Sequence, residues 1–279
     1  MIRLAALCAF LAGPALADAY PNAQRIISVG GSVTEIVYAL GEQDRLVGRD
    51  TTSSYPVAAR ALPDVGYMRR LSPEGVLSIN PDLVLAEEGA GPPETIALLQ
   101  GAALPMETIP GGYDRDAVGA KIFSVAQALG VPEKGRALSQ QVLAEIDAAL
   151  TEVAQQTRPP RVLFVLSMQG GRIMAAGANT SAQGILNLVG AQNALSGVDG
   201  YKLVTDEAIA NSQADVILMM DRNAGRHQAD VLRHPAILTT PAGVNQRLIR
   251  MDGLKLLGFS VRTGTAVREL SAALTQVQG

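Results

Sequence analysis

Two short segments hold residues able to do chemistry, at matching places in the chain. Pro63-Asp-Val-Gly66-Tyr67-Met68-Arg69-Arg70 sets a tyrosine seven residues before Glu74. Asp199-Gly200-Tyr201-Lys202 sets another six residues before Glu207. Each is a Gly-Tyr-(x)-basic loop just ahead of an acidic helix start. On the rims of two facing lobes, such loops would project a phenol and cations into the cleft between them. Taken singly, a Gly-Tyr loop is more often a packed corner, and adjacent arginines are usually a solvated edge. The repetition raises the pair above that reading.

Composition narrows the chemistry to these residue types. Among 279 residues there is one cysteine, Cys8, and there are two histidines, His227 and His234. Disulfide frameworks and Cys-ligated zinc or iron–sulfur sites are excluded, and two histidines are too few for a His-built metal site. A net charge of −3 and the lack of a Lys/Arg excess argue against a nucleic-acid partner. Aromatics are only 4% of the chain, with no Trp, too few for a base-stacking platform. Tyr, Arg and carboxylates are left to supply any special chemistry, on what reads as an α/β chain long enough for one large or two medium domains.

The opening stretch reads as an export signal. Met1-Ile-Arg3 is basic, residues 4–16 are apolar and small, and Ala15-Leu16-Ala17 fits a signal-peptidase site. The expectation is a cleaved signal over residues 1–17, with Asp18 starting the mature chain. The run is shorter than the ~20 apolar residues that a membrane span needs, and Gly13-Pro14 interrupts it. The bulky Leu7 before Cys8 argues against a lipoprotein.

The elements that must position the tyrosines come in two similar sets. Arg25-Ile-Ile-Ser-Val reads as a buried strand running into Gly30-Gly31, then a helix over 32–40 stopped by Gly41. Ser72-Pro73-Glu74 has cap, proline and acid in the order of a helix start. Leu83-Val-Leu-Ala and Pro105-Met-Glu-Thr-Ile read as further strands around a helix over 93–99. This alternation predicts parallel βαβ units. After Arg158-Pro-Pro160 the pattern begins again with Arg161-Val-Leu-Phe-Val-Leu. Glu74/Glu207 and Asp82/Asp215 share one offset of 133 residues, which favours an architectural repeat. Between the halves, Leu138, Val142, Ile146, Leu150 and Val153 recur at helical spacing. The expected organisation is an N-terminal α/β lobe over 18–131, an interlobe helix over 132–157 and a C-terminal α/β lobe over 158–279. A helix from 132 to 156 would be roughly 37 Å long, and its apolar stripe would lie against both lobes and resist hinge motion.

Several stretches together resemble the haem-binding proteins of bacterial haem ABC importers. They are Arg25-Ile-Ile-Ser-Val-Gly-Gly-Ser-Val-Thr-Glu-Ile, Leu62-Pro-Asp-Val-Gly-Tyr-Met-Arg-Arg-Leu-Ser-Pro-Glu-Gly, Ala175-Ala-Gly-Ala-Asn-Thr, Gly200-Tyr-Lys-Leu, Thr240-Pro-Ala-Gly and Gly253-Leu-Lys-Leu-Leu-Gly-Phe-Ser-Val-Arg. The Pro-Asp-Val-Gly-Tyr-Met-Arg segment is the most specific. The resemblance implies the fold shared with vitamin B12 and siderophore carriers: two Rossmann-like lobes on one long backbone helix, a class III periplasmic binding protein with a shallow cleft. It also implies that Tyr67 is the axial ligand of ferric haem b, the transported cargo. A phenolate is a hard anionic donor suited to Fe(III). Because a free phenol has a pKa near 10, the ferric ion and a nearby guanidinium must favour its charged form. Arg69 matches the position of the base that supports the ligand or contacts a propionate, for which a guanidinium fork is well shaped. A second arginine is expected from the other lobe, Arg222 ahead of Arg226 in Met220-Asp-Arg-Asn-Ala-Gly-Arg-His, where a polar loop capping a strand is the alternative. Tyr201 is read as packing or as a propionate hydrogen-bond donor. Ser167-Met-Gln-Gly-Gly-Arg172 lacks the histidine of some relatives, so one haem is expected rather than two.

In the related carriers one acid on each lobe docks onto arginines of the two permease subunits, and here these would be Glu74 and Glu207. Favourable placement against the helix dipole would put acids there too. The expected protein is a monomeric periplasmic carrier, not an enzyme. It would serve an inner-membrane ABC permease dimer with its ATPase, and an outer-membrane haem receptor system would be a further partner. The alternatives are a ferric-siderophore or corrinoid carrier of the same fold, and an exported hydrolase. The hydrolase reading lacks a Gly-x-Ser-x-Gly elbow, and neither glycine-rich phosphate loop is present.

Overall fold

The computed structural model describes residues 19–153, 159–221 and 231–278. The expected export signal therefore lies outside the described residues, as do Arg222, Arg226 and His227.

The N-terminal lobe is a parallel βα sheet. Strands β1 (Ile26–Val29), β2 (Leu46–Arg49), β5 (Leu83–Glu87) and β6 (Met106–Ile109) run parallel in the order β2-β1-β5-β6. A short ribbon, β3 (Gly66–Tyr67) and β4 (Arg70–Leu71), is inserted before β5. The helices are α1 (Gly31–Ala39), α2 (Pro73–Leu77), α3 (Pro93–Gly101) and α4 (Arg115–Ala128). Strand side chains alternate between faces, and both faces of this sheet are covered. Ile26, Leu83 and Leu85 pack under α1 and α4 with Ile36, Val37, Val118 and Ile122. Ile27, Val29, Val84 and Ala86 face the other way, toward Val65, Met68, Leu71, Val76 and Leu99. Burial on both faces explains why these strands read as continuous apolar runs.

The C-terminal lobe repeats the plan with an antiparallel extension. Strands β7 (Arg161–Gln169), β11 (Val216–Asp221) and β12 (Leu248–Asp252) are parallel, and β9 (Gln192–Asn193) adds to β7. Strands β8 (Arg172–Ala176) and β10 (Tyr201–Leu203) add antiparallel, giving the order β10-β8-β7-β11-β12. Helices α6 (Ser181–Leu188), α7 (Asp206–Asn211), α8 (Pro235–Leu238), α9 (Pro241–Val244), α10 (Gly253–Leu257) and α11 (Thr263–Gln278) complete it.

The long helix α5 (Pro132–Val153) is described over 22 residues, about 33 Å. It packs against α4 on one side and α11 on the other. Its buried residues Gly135, Val142, Ile146, Ala149 and Val153 recur on one stripe. A Cβ on Gly135 would lie 2.3 Å from that of Ala126, so glycine there lets α4 and α5 nearly touch. One continuous apolar cluster runs from the N-terminal sheet through α5 to Val162, Phe164, Val216 and Leu218.

The repeat extends to the hydrogen bonds. Ser72 Oγ accepts from Gly75 N at 3.3 Å and caps α2, and Thr205 Oγ1 accepts from Ala208 N at 3.2 Å and caps α7. Asn80 and Gln213, at the same offset, both take positive φ (52° and 46°) before the next strand. Asp82 then accepts from Arg25 N, and Asp215 from Arg161 N, each at 2.9 Å.

Candidate ligand-binding site

Tyr67 stands on the β3–β4 ribbon, which joins its strands through Met68 and Arg69 alone. Gly66 lies opposite Leu71 and Tyr67 opposite Arg70. Leu71 and Met68 turn inward to the core with Val65, while Tyr67 is 42% exposed and Arg69 and Arg70 lie open. The ribbon is tied to the loops that follow β2 and β5. Thr51 N donates to Gly66 O at 2.9 Å, Gly91 N to Met68 O at 2.9 Å and Leu71 N to Gly91 O at 2.8 Å. Asp64 braces its entry, accepting from Arg49 Nη1 at 2.9 Å, Thr51 Oγ1 at 3.2 Å and Gly66 N at 2.9 Å. Gly66 has φ +101°, a conformation that L side chains rarely adopt. A phenol is thereby held at the carboxyl ends of the parallel strands, the edge where open α/β sheets bind ligands.

The second tyrosine is placed differently. Tyr201 is not on a rim loop but opens the edge strand β10, paired with Ala176. Its ring meets Phe164 edge-on at 6.4 Å, and its hydroxyl lies 3.0 Å from Ser181 Oγ. Burial pushes its phenol above the ordinary value of 10.0, with the Ser181 bond pulling the other way. The two Gly-Tyr segments therefore differ: one tyrosine is lifted into solvent by a two-residue turn, and the other is drawn against an aromatic core residue.

Glu74 and Glu207 are both exposed in the first turns of α2 and α7, as the shared offset predicts. His234 precedes α8 and is buried, with Nε2 2.8 Å from Gly171 O. It is thus tied to the β7–β8 turn. Arg222 follows directly on Asp221, the last residue of β11, and its position and that of Arg226 are outside the described residues.

Sequence reasoning missed the polar contacts that join the lobes beneath the cleft. Lys121 of α4 is fully buried; its Nζ lies 2.6 Å from Glu87 Oε1 and 3.3 Å from Gly258 O of the other lobe. Glu35 of α1 accepts from Arg262 Nε and from Ser260 Oγ, each at 2.9 Å. Burial raises the Glu35 carboxyl above its ordinary value, and the Arg262 and Ser260 bonds oppose this. The Arg262 guanidinium also lies 3.9 Å over the Tyr55 ring. Tyr113 reaches across to Phe259, with ring centroids 5.5 Å apart, and fills the space left by Gly184. Glu35 and Arg262 fall inside two of the stretches that carry the family resemblance, but nothing in either stretch names the other as partner.

Two α/β lobes on one long helix, with the carboxyl edges of their sheets facing across a polar seam, define a solute-binding protein of the class III type. The chain belongs to the periplasmic binding protein family, whose profile matches residues 26–253. Among solved structures it resembles the periplasmic haem-binding protein BhuT in complex with two haems, at 43% identity and a TM-score of 0.87, covering 91% of this chain and 99% of that one. It also resembles the periplasmic haem-binding protein RhuT from Roseiflexus sp. RS-1, at 38% identity and a TM-score of 0.88, covering 92% and 100%. Among curated relatives it is 28% identical over 205 residues to an uncharacterised ABC transporter substrate-binding lipoprotein, YvrC, of Bacillus subtilis, covering 71% of this chain. It is 27% identical over 172 residues to the vitamin B12-binding protein of Yersinia pestis, covering 61% of this chain. The chain spans 64% and 60% of the lengths of these two relatives.

Proposed function

We propose that this protein captures ferric haem in the cleft between its lobes and delivers it to an ABC permease. The observation that carries the reading is the exposed Tyr67 phenol, fixed by a buttressed ribbon at the ligand edge of the sheet in a chain 43% identical to a haem-binding neighbour. Tyr67 supplies the anionic oxygen that ferric iron prefers. Arg69 at the ribbon tip, with Arg222 and Arg226 of the other lobe, supplies cations for the propionates. Tyr201, with its hydroxyl engaged by Ser181, supports the C-terminal wall through packing. Glu74 and Glu207 orient the loaded protein on a two-fold permease, steering encounter more than adding affinity. The reading includes export to the periplasm with cleavage after Ala17.

Titration with hemin tests this directly. A Soret band should grow and saturate, and Tyr67→Ala should alter the ferric spectrum and weaken binding. An unchanged spectrum and affinity in Tyr67→Ala would remove the ligand. The end point decides stoichiometry: one equivalent follows from the missing histidine in 167–172, whereas the BhuT structure holds two haems. The vitamin B12-binding relatives favour a second reading, a corrinoid carrier. Cobalamin that bound tightly while hemin bound only weakly would establish it in place of the first.

A further inference from the structure

The ribbon that carries Tyr67 hangs between two loops, and both loops reach the C-terminal lobe. On one side, Gly66 O accepts from Thr51 N of the loop after β2, at 2.9 Å. Further along that loop, the Tyr55 ring lies under the Arg262 guanidinium of the other lobe, at 3.9 Å. On the other side, Gly91 of the loop after β5 donates to Met68 O at 2.9 Å and accepts from Leu71 N at 2.8 Å. This loop starts from Glu87, whose carbonyl accepts from Ala90 N at 2.9 Å and whose carboxylate pairs with Lys121. The three N–H groups of the buried Lys121 meet three acceptors. They are Glu87 Oε1 at 2.6 Å, Gly258 O at 3.3 Å and Ser32 Oγ at 3.4 Å. Of the three, only Gly258 belongs to the C-terminal lobe.

We propose that Lys121 and Tyr55 are positioning residues for the iron ligand: they fasten its two supporting loops to the opposite lobe, so that the grip of Tyr67 on ferric iron depends on the lobes staying together. This rests on the reading of Tyr67 as the ligand. A two-stranded ribbon this short is not stable by itself, so the two loops set where its backbone lies. A ligand atom must be held within about 0.5 Å of its productive place by the groups behind it. When the lobes part, Lys121 loses the Gly258 carbonyl and Tyr55 loses the Arg262 guanidinium. Spreading the lobes therefore loosens both loops and the iron ligand in one movement. That suits a carrier that holds its cargo in solution and surrenders it on docking.

Hemin dissociation from the full mature chain into excess apomyoglobin tests this, with the ferric spectrum and denaturant stability measured alongside. Lys121→Met should release hemin about fivefold faster, part of the value of one charged hydrogen bond. Tyr55→Ala, at a half-exposed ring, should release it about threefold faster, the scale of an exposed cation–π contact. Both should shift the phenolate-to-iron charge-transfer band. In a Tyr67→Phe background neither change should speed release further, because no iron–oxygen bond is left to loosen. Unmoved release in a folded Lys121→Met or Tyr55→Ala would refute the role of that residue, and in both it would overturn the proposal. Equal acceleration in the wild-type and Tyr67→Phe backgrounds would overturn it as well, and make these residues part of the cleft wall. If Lys121→Met does not fold, Tyr55→Ala decides alone. A Tyr67→Phe protein with wild-type release refutes the ligand reading, and this inference falls with it.

Discussion

At the scale of single residues, surroundings separate two tyrosines that sequence places in parallel. Tyr67 keeps its ring in solvent with Arg70 across the ribbon, free to present oxygen to a ligand. Tyr201 spends its hydroxyl on Ser181 and its ring on Phe164, and burial holds its phenol in the neutral form. Tyr201→Phe should therefore cost about 1 kcal/mol of stability, the value of a partly buried hydrogen bond, and leave the ferric haem spectrum unchanged. Denaturant unfolding and a visible spectrum check both halves. A lost or shifted iron band in Tyr201→Phe would instead make that oxygen part of the haem site. The sequence could not make this distinction, because Gly66-Tyr67 and Gly200-Tyr201 are the same dipeptide. The difference lies in Phe164, a residue 37 positions upstream of Tyr201, and in the two-residue turn after Tyr67.

At the scale of elements, legibility followed how completely an element's own residues declare its surroundings. The central strands are apolar throughout because both sheet faces are covered. Ser72-Pro73-Glu74 and Thr205-Asp-Glu207 announce their helices through side chains that do cap them. Helix α4 went unread although Asp114 caps it at 2.8 Å. Its inward stripe of Val118, Ile122 and Val125 also contains Lys121, a charge neutralised by Glu87, and a lysine in that stripe hides the apolar period. The β3–β4 ribbon is too short to show any period and reads as a loop. Strands β8 and β10 are antiparallel additions that a βαβ reading does not anticipate. The ribbon also yields a prediction of its own. Gly66→Ala has room for the added Cβ, whose nearest neighbour is Arg70 O at 3.8 Å, but must hold φ +101°. Backbone strain alone should cost about 1 kcal/mol or more, and hemin binding should weaken because Tyr67 is the next residue. Unaltered stability with unaltered hemin affinity would show that the ribbon tolerates a different backbone at its root.

At the scale of the whole molecule, the seam between the lobes decides whether the cleft opens and closes or is simply there. Helix α5 is clamped by α4 and α11, and Gly264 lets the start of α11 lie close to α5, since a Cβ there would sit 3.1 Å from the Glu145 backbone. Glu35–Arg262 and Lys121–Gly258 then pin the carboxyl edges of the two sheets together. Opening the lobes would break the bonds from Arg262 and Ser260 that oppose the effect of burial on the Glu35 carboxyl. Glu35→Ala leaves Arg262 without its main partner and should cost about 3 kcal/mol, as loss of one member of a buried pair does. The lobes should also separate, with a larger radius of gyration in small-angle scattering. Wild type should scatter alike with and without hemin, since the α5 packing and the Glu35–Arg262 and Lys121–Gly258 contacts oppose hinge motion. The pH dependence fixes the sign independently. A carboxyl raised in the folded state takes up its proton sooner than in the unfolded chain, so its contribution is fully present below the ordinary value of 4.5. That contribution declines as pH rises through the raised value. Glu35→Gln should remove this component, so that its stability falls less than wild type over that interval. If Glu35→Gln and wild type follow the same pH curve, and Glu35→Ala scatters like wild type, then packing along α5 alone sets the lobe angle and the polar seam only fills the space beneath the cleft.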